Sequence, residues 1–367
     1  MSAPYFHNSS VTLQTGDAVE VLTELPENSV HCVVTNPPPW GLGHHSTARQ
    51  TGEKPDCRHL RPADTESTRR LAATAQRCRR CGAEPEDRRY GLEATPQTYV
   101  DRLRGVFAAL RRVLVDTGTV WLNLSDSYSA ALGRASGASN TGRRNPLWNS
   151  LLGMPWRVAF ALQRDGWILR NAIVLHRLGA TSDSVGDRLT NRYELLLLLT
   201  KQQRYYFNLD AIREPLARPE ALGRAVYRKR TGASPNGHLG AATKAPGNKQ
   251  HGDVQLVGKN PGDVWSISTS PRREAHITAY PVDIPLRCIA AGCPPGGVVL
   301  DPFSGAATTG LAAQQLKRAY VGIDLNPAIH DLGLRRLGLQ PPADLSSQLP
   351  EPHRRLHDLF EPLTPVA

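Results

Sequence analysis

The chain has 367 residues, enough for one large catalytic domain with insertions or for two modest domains. Lys plus Arg (44) exceed Asp plus Glu (33), giving a formal charge of +11 and a pI near 9.6. That balance excludes an acidic solvating chain and points to a polyanionic partner, although an Arg-rich coding bias raises the same count.

The opening MSAPYFHNSS has neither a basic head nor an apolar signal core, so a cytoplasmic protein is expected. Residues 11–34 read as strand, turn, helix, strand, with apolar Val19, Val21, Leu22 and Leu25 after a Gly-Asp turn. From Gly41 to Gly91 the pattern gives way to polar and charged residues, an excursion from the core. Order returns at Thr95-Pro96, an N-cap followed by proline at the first helical position. The helix that follows carries Val100, Leu103, Val106, Phe107, Leu110, Val113 and Leu114 on one face. Asp116-Thr117-Gly118 reads as a turn before the strand TVWLNL. A helix over 155–164, a strand over 167–176 and the run ELLLLLT continue the alternation. The longest purely apolar run, at 195–199, is far too short to cross a bilayer, and no membrane association is expected.

Residues 213–262 hold nine Lys or Arg against three acids, with eight glycines and almost no apolar period. They read as a basic loop region. A helix over 282–291, the strand VVLD, a helix after Gly305 and the strand AYVGID close the pattern. Beyond residue 340 the Pro-rich stretch reads as a loose tail. Helices between mostly apolar strands predict an α/β fold with a mostly parallel sheet. Cys32, Cys288 and Cys293 sit in apolar stretches and read as small buried hydrophobes.

Two strings carry chemistry. In DPFSGAATTG (301–310) a carboxylate closes a strand and small residues follow, which permits close backbone approach by a ligand. About twenty residues on, the next strand ends in Asp324, the usual place for an acid that takes a ribose diol. No GxGxxG and no Gly-Lys-Ser/Thr is present, so a nucleoside ligand without a pyrophosphate fits best. An acid capping a Gly-rich turn is the ordinary alternative. In TNPPPW (35–40) an Asn carbonyl and a proline backbone carbonyl form an acceptor pair suited to an exocyclic amino group, with Trp40 as a stacking face. A proline-rich loop after a strand is equally compatible with that string alone.

Taken together, TNPPPW followed by DPFSGAATTG resembles the DNA amino-methyltransferases that use S-adenosylmethionine, and the order of the two motifs resembles their β class. GDAVEVLTELPENSV, GTVWLNLSDSY, GMPWRVAFALQRDGWILRNAIVLHR, the stretch from NRYELLLLLT to YYFNLDAIREP, HITAYP and GIDLNP extend the likeness over most of the chain. The resemblance implies a circularly permuted Rossmann-like methyltransferase fold. It places Asp301, Phe303, Ser304 and Gly305 against the methionine part of the cofactor, with Thr308 and Thr309 in the same motif. Asp324 would take the ribose hydroxyls and Asp17 the adenine amino group, with His276, Ala279, Tyr280 and Pro281 walling the methionine end. Asn36 and the Pro37 carbonyl would grip the target amino nitrogen, with Pro38 and Trp40 completing the catalytic motif. That nitrogen is a poor nucleophile because its lone pair is delocalised into the ring, so orientation and electrostatics matter more than a strong base. The target must also leave the base stack.

Three features depart from the family pattern. Pro39 stands where an aromatic residue usually stacks on the flipped base, so either Trp40 supplies that face or the base is held less firmly. Ala306 and Ala307 replace a Gly-containing pair. Asparagine at 36 replaces the serine of many N4-cytosine enzymes and also occurs in N6-adenine enzymes, while the TxPPxW frame is closer to the N4-cytosine members.

The basic region at 213–262 lies where the β class carries target recognition. Arg224, Arg228, Lys229, Arg230, Lys244 and Lys249 could meet phosphates and guanine edges of double-stranded DNA, or form a solvated charged loop. Cys57-x-His59 and Cys78-x2-Cys81, eighteen residues apart in a segment without its own core, suit a tetrahedral structural Zn2+, with free surface thiols as the alternative. The expected organisation is a catalytic-motif part (1–54), a zinc-knuckle insertion (55–90), a methyltransferase core (91–212), the recognition region (213–262), a cofactor part (263–340) and a tail (341–367). The function this implies is N4-cytosine methylation of duplex DNA, in restriction-modification or phage defence, with a cognate restriction endonuclease as a possible partner. The alternatives are N6-adenine methylation and a catalytically degenerate DNA-binding protein. A protein glutamine methyltransferase also uses Asn-Pro-Pro, but that family places its cofactor motif first.

Overall fold

A computed structural model describes residues 3–41, 49–51, 84–86, 88–93, 95–129, 150–179, 185–215, 258–268 and 280–340. Along the chain run β1 (Phe6–His7), β2 (Val11–Thr15), α1 (Ala18–Glu24), β3 (Val30–Thr35), β4 (Arg49–Thr51), β5 (Glu84–Glu86), α2 (Pro96–Val113) and β6 (Leu114–Leu124). Then come α3 (Met154–Arg164), β7 (Ile168–Leu178), β8 (Tyr193–Thr200), β9 (Val264–Ser268), α4 (Asp283–Gly292), β10 (Val298–Asp301), α5 (Thr308–Gln315), β11 (Ala319–Asp324) and α6 (Pro327–Arg336).

Nine strands form one sheet in the order β1-β2-β11-β10-β3-β6-β8-β7-β9. The central five, β2, β11, β10, β3 and β6, are mutually parallel. β8 runs antiparallel to both β6 and β7, so the sheet is mixed rather than mostly parallel throughout. β9, which the sequence pattern did not announce, adds parallel to β7 at the edge. The expected turn at Asp116–Gly118 is instead an irregularity inside β6: Val30 pairs Leu114 while Cys32 pairs Thr119.

Helices cover both faces. On one side α1, α2 and α3 bury Leu22, Leu103, Phe107, Leu110 and Leu162. Helix α2 forms because Thr95 accepts the amide of Thr98 (3.1 Å), Pro96 follows without a donor to waste, and its apolar residues recur every three to four positions. Each buried Leu or Phe of that stripe contributes about 2 kcal/mol. On the other face α4, α5 and α6 bury Ile289, Ala312, Ala313 and Leu334. Cys32, Cys288 and Cys293 lie in this second layer as expected, and burial pushes their thiols above the ordinary range.

β10 pairs with β11 on one side and β3 on the other, and the helical connections leaving β10 and β3 depart in opposite directions along the sheet. Such a switch point opens a crevice at the carboxyl ends of the strands. Both chemical motifs end there. β4 and β5 pair antiparallel and flank residues 52–83. Glu214 and Lys259 exchange two backbone hydrogen bonds (3.0 and 2.9 Å), joining the two ends of the basic region.

Candidate functional site

β3 is a central strand, and Pro37-Pro38-Pro39 cannot donate to either neighbour, so the ladder stops at Thr35 and the chain leaves the sheet at Asn36. The exit is pinned at several points. Tyr99 donates its hydroxyl to the Pro38 carbonyl (3.0 Å), Ser127 donates to the Trp40 carbonyl (2.8 Å), and Gly41 N–H donates to the Gly91 carbonyl (2.9 Å). Gly91 has φ +89°, and a Cβ there would stand 2.6 Å from the Pro39 carbonyl oxygen, so only glycine fits beneath the loop. Among the described residues no hydrogen bond reaches the Pro37 carbonyl.

Asn36 is half-buried, and its amide is oriented from behind. Asn123, buried on β6, donates to Asn36 Oδ1 (3.3 Å) and to Glu194 Oε2 on β8 (2.8 Å). Arg177 of β7 holds the other carboxylate oxygen at 3.2 Å. A carboxylate can only accept, so Glu194 fixes which way the Asn123 amide faces, and Asn123 in turn fixes Asn36. Sequence reasoning missed Asn123 and Glu194. Their signal, a polar residue in each of two otherwise apolar strands, was present in VWLNL and YELLLLL.

Trp40 corrects an expectation. It is 2% exposed, packed in the core, and its indole N–H donates to the Glu93 carbonyl (2.9 Å). Neither ring face is open to a base, because burying the indole and satisfying its one donor hold it inward. The stacking role assigned from the sequence therefore has no support at this residue, and Trp40 anchors the loop.

Across the crevice the residues of 301–310 divide into two groups. Asp301 is 1% exposed and saturated: Thr35 donates to Oδ1 (2.8 Å), Thr309 to Oδ2 (2.6 Å) and Phe303 N–H to Oδ1 (3.1 Å). Burial pushes its carboxyl up to about 6, with these hydrogen bonds opposing the shift. The Thr309 hydroxyl also meets that of Tyr280. Thr308 is buried and accepts from Arg336 (3.0 Å), and Ser304 is bonded to the Tyr320 hydroxyl (2.8 Å). The side-chain oxygens of Asp301, Ser304, Thr308 and Thr309, all predicted as cofactor contacts, are thus engaged within the protein: Asp301 and Thr309 brace β3 against β10 and α5, while Ser304 and Thr308 tie to β11 and α6.

The second group faces the crevice. Gly305 has φ +49° and open space where a Cβ would be. Phe303 packs edge-on against Tyr90 (centroids 4.8 Å apart, 76°). Asp324 accepts from Gly305 N–H (3.0 Å) and Asn326 N–H (2.9 Å) and remains partly exposed; burial raises its pKa. The Gly16 amide donates to the Asp324 carbonyl (3.0 Å), which sets Asp17 beside it, where one carboxylate oxygen caps α1 through Val19 (2.9 Å). The Thr15 hydroxyl, in register with Asp324, is buried without a partner among the described residues. Tyr280 is half-buried behind Thr309. His276, Ala279, Cys57, His59, Cys78, Cys81, Arg224, Arg228, Lys229, Arg230, Lys244 and Lys249 lie outside the described residues. Among the described residues no His, Cys, Asp and Glu cluster could hold a metal, and no helix is long and apolar enough to cross a membrane.

The chain resembles known proteins over most of its length. The chain is 32% identical over 340 residues to the Type II methyltransferase M.Cfr9I of Citrobacter freundii, covering 90% of this chain and 88% of that protein. It is 34% identical over 337 residues to the Type II methyltransferase M.XycI of Xanthomonas campestris pv. cyanopsidis, covering 89% and 87%. Its fold is similar to that of PvuII DNA methyltransferase (cytosine-N4-specific), with a TM-score of 0.55 at 14% identity over 97% of this chain and 93% of that one. The profile of the N6/N4 methyltransferases, described as DNA methylase, matches residues 30–335, from the first residue of β3 to the last turn of α6. With both motif-bearing strands inside that span and meeting at one crevice, the chain belongs to the N6/N4 DNA methylase family.

Proposed function

We propose that this protein transfers a methyl group from S-adenosylmethionine to the N4 amino group of cytosine in duplex DNA, with the target base flipped out of the stack. The observation that carries the reading is the meeting of Asn36, with its neighbouring Pro37 carbonyl, and the Gly305–Asp324 crevice at the carboxyl ends of adjoining strands. The order of the two strands along the chain, β3 before β10, supports a circularly permuted arrangement.

The residues present fit the cofactor: Gly305 leaves room for close approach, Asp324 presents a partly exposed carboxylate, and Thr15 offers an unpartnered hydroxyl. Asp324 would hold the ribose hydroxyls, Asp17 the adenine amino group, and Phe303 and Gly305 the methionine end. When bound, S-adenosylmethionine supplies an electrophilic methyl group. Asn36 Oδ1 and the Pro37 carbonyl accept from the target amine, which localises the nitrogen lone pair and turns it away from the acceptors. Asn123 and Glu194 keep the Asn36 oxygen in place without reorganisation. Asp301 and Thr309 hold the two motif strands in register. Asp324→Ala is expected to weaken S-adenosylmethionine binding by about 10–100-fold, the loss of charged hydrogen bonds, measured by calorimetry; unchanged affinity would remove Asp324 from the site.

Base identity follows from mass analysis of nucleosides after incubating unmethylated DNA with the enzyme and cofactor. N4-methylcytosine is expected, and N6-methyladenine alone overturns that assignment in favour of the adenine alternative. The relatives' description as Type II methyltransferases supports a restriction-modification role with a cognate endonuclease. The basic region at 213–262, including Arg224, Arg228, Lys229, Arg230, Lys244 and Lys249, would recognise the target sequence. Cys57, His59, Cys78 and Cys81 would hold one structural Zn2+ on their spacing; metal analysis of the purified protein should find one zinc per chain, and none disposes of the site.

A further inference from the structure

The rim around Asn36 is completed by a segment that the motifs do not include. β8 is antiparallel to β6, with Leu195 opposite Leu124, so the β7–β8 connection emerges on the same edge as the carboxyl ends of the parallel strands. Its described part, 185–192, ends just before Glu194, which is one hydrogen bond from Asn123 and two from Asn36. On its other side the Arg188 guanidinium lies 3.8 Å over the Tyr128 ring. Tyr128 directly follows Ser127, the residue that donates to the Trp40 carbonyl. The segment is thus linked at two points to residues that hold the catalytic loop, through Glu194 to Asn123 and through Arg188 to Tyr128 beside Ser127.

Between these ties stands Leu189, 90% exposed. Among the described residues it is the most exposed large apolar side chain, ahead of Val264 at 61%. A lone exposed leucine is ordinary on a surface. One held at the edge of a base-modifying crevice, beside a clamped arginine, is placed for use. Within 185–192, Arg188 and Arg192 flank it against one acid, Asp187, a balance suited to a phosphate-lined groove.

Resting on the base-flipping reading above, we propose that Leu189 is a DNA-inserting residue. Its side chain enters the stack at the position the target base vacates, while the Arg188–Tyr128 contact holds the segment rigid and Arg192 meets a neighbouring phosphate. An apolar wedge replaces the stacking lost when a base leaves, and its side chain leaves water in doing so. With Trp40 buried and Pro39 in place of an aromatic residue, neither position offers the extruded base a stacking face, so stabilisation on the DNA side of the crevice carries more weight in holding the flipped state.

The test compares Leu189→Ala and Leu189→Phe with the unsubstituted enzyme on two duplexes carrying a site the enzyme methylates, mapped beforehand by sequencing enzyme-treated DNA. One duplex is fully paired; in the other the target base faces an abasic position, which lowers the cost of extrusion. Leu189→Ala should lower kcat/KM by about tenfold or more on the paired duplex, recover to within about threefold on the abasic one, and bind S-adenosylmethionine as before. Leu189→Phe, which still fills the gap, should retain most activity on both. Equal activity of Leu189→Ala and the unsubstituted enzyme on paired DNA, or an equal loss on both duplexes, overturns the insertion role alone. No transfer by the unsubstituted enzyme to any DNA overturns the methyltransferase reading and the wedge with it.

Discussion

Asn36→Ala is expected to lower the rate of methyl transfer to DNA by about 10²–10³-fold while leaving S-adenosylmethionine affinity within about twofold. The magnitude is that of removing one pre-aligned polar group from a site where charge develops in the transition state. The exocyclic amine becomes positive as its nitrogen is alkylated, so an acceptor fixed beside it stabilises the transition state more than the ground state. Asn36 is suited to that because its orientation does not have to be found during the reaction. Asn123 points at its Oδ1, Glu194 dictates the Asn123 amide, and Arg177 holds Glu194. Alanine removes the acceptor but keeps the Pro37 carbonyl and the loop anchors at Tyr99, Ser127 and Gly91, so the protein should fold and bind cofactor normally. Single-turnover kinetics with labelled cofactor measures the effect. Turnover near the unsubstituted rate would take Asn36 out of the reaction and leave the motif as a strand terminator.

What the sequence made legible is what depends on neighbouring residues. The three prolines after Asn36 end a strand wherever that strand lies, and Thr95-Pro96 starts a helix for reasons contained in four residues. The small residues after Asp301 announce a turn that accepts close approach. The pairing of distant segments was not legible. The direction of β8 and the addition of β9 at the sheet edge depend on which strands meet, and a leucine run reads alike in parallel and antiparallel company. Asn123 and Glu194 join the site only because β6 and β8 pair in one register, which sets both side chains behind Asn36. Trp40 shows the same limit from the other side. An aromatic residue after a proline loop suits a base or a core equally, and its fate is decided by the Glu93 carbonyl, 53 residues away. Asp301 was legible as an acid at the right place, but not as one whose oxygens are already bound to Thr35, Phe303 and Thr309.

The saturation of Asp301 leads to a pH-dependent expectation. Its folded pKa of about 6 lies above the ordinary 3.8, because burial disfavours the charged form more than three hydrogen bonds favour it. The protonated carboxyl is therefore the form the fold prefers. Its contribution to stability is fully present below about pH 3.8 and is lost as pH rises through about 6. Asp301→Asn has no such titration. An asparagine there could keep its oxygen on Phe303 N–H and Thr35 while its NH2 donates to Thr309, whose hydroxyl proton turns to the Val34 carbonyl, already at 3.3 Å. Any misfit in that exchange is constant with pH. Denaturant unfolding of the two proteins should show the Asn variant gaining on the unsubstituted protein by roughly 2 kcal/mol between pH 4 and pH 7, most of the free-energy equivalent of the pKa difference. A difference that stays flat, or grows in favour of Asp301 as pH rises, would mean that the charged form is well accommodated and that burial does not govern this residue. Asp301→Ala is the contrasting case. It leaves Thr35 and the Phe303 amide without their buried acceptor, at about 1–3 kcal/mol each, and loosens β3 from β10 beside Asn36. Stability and turnover should fall together there, whereas in Asp301→Asn the pH profile moves first.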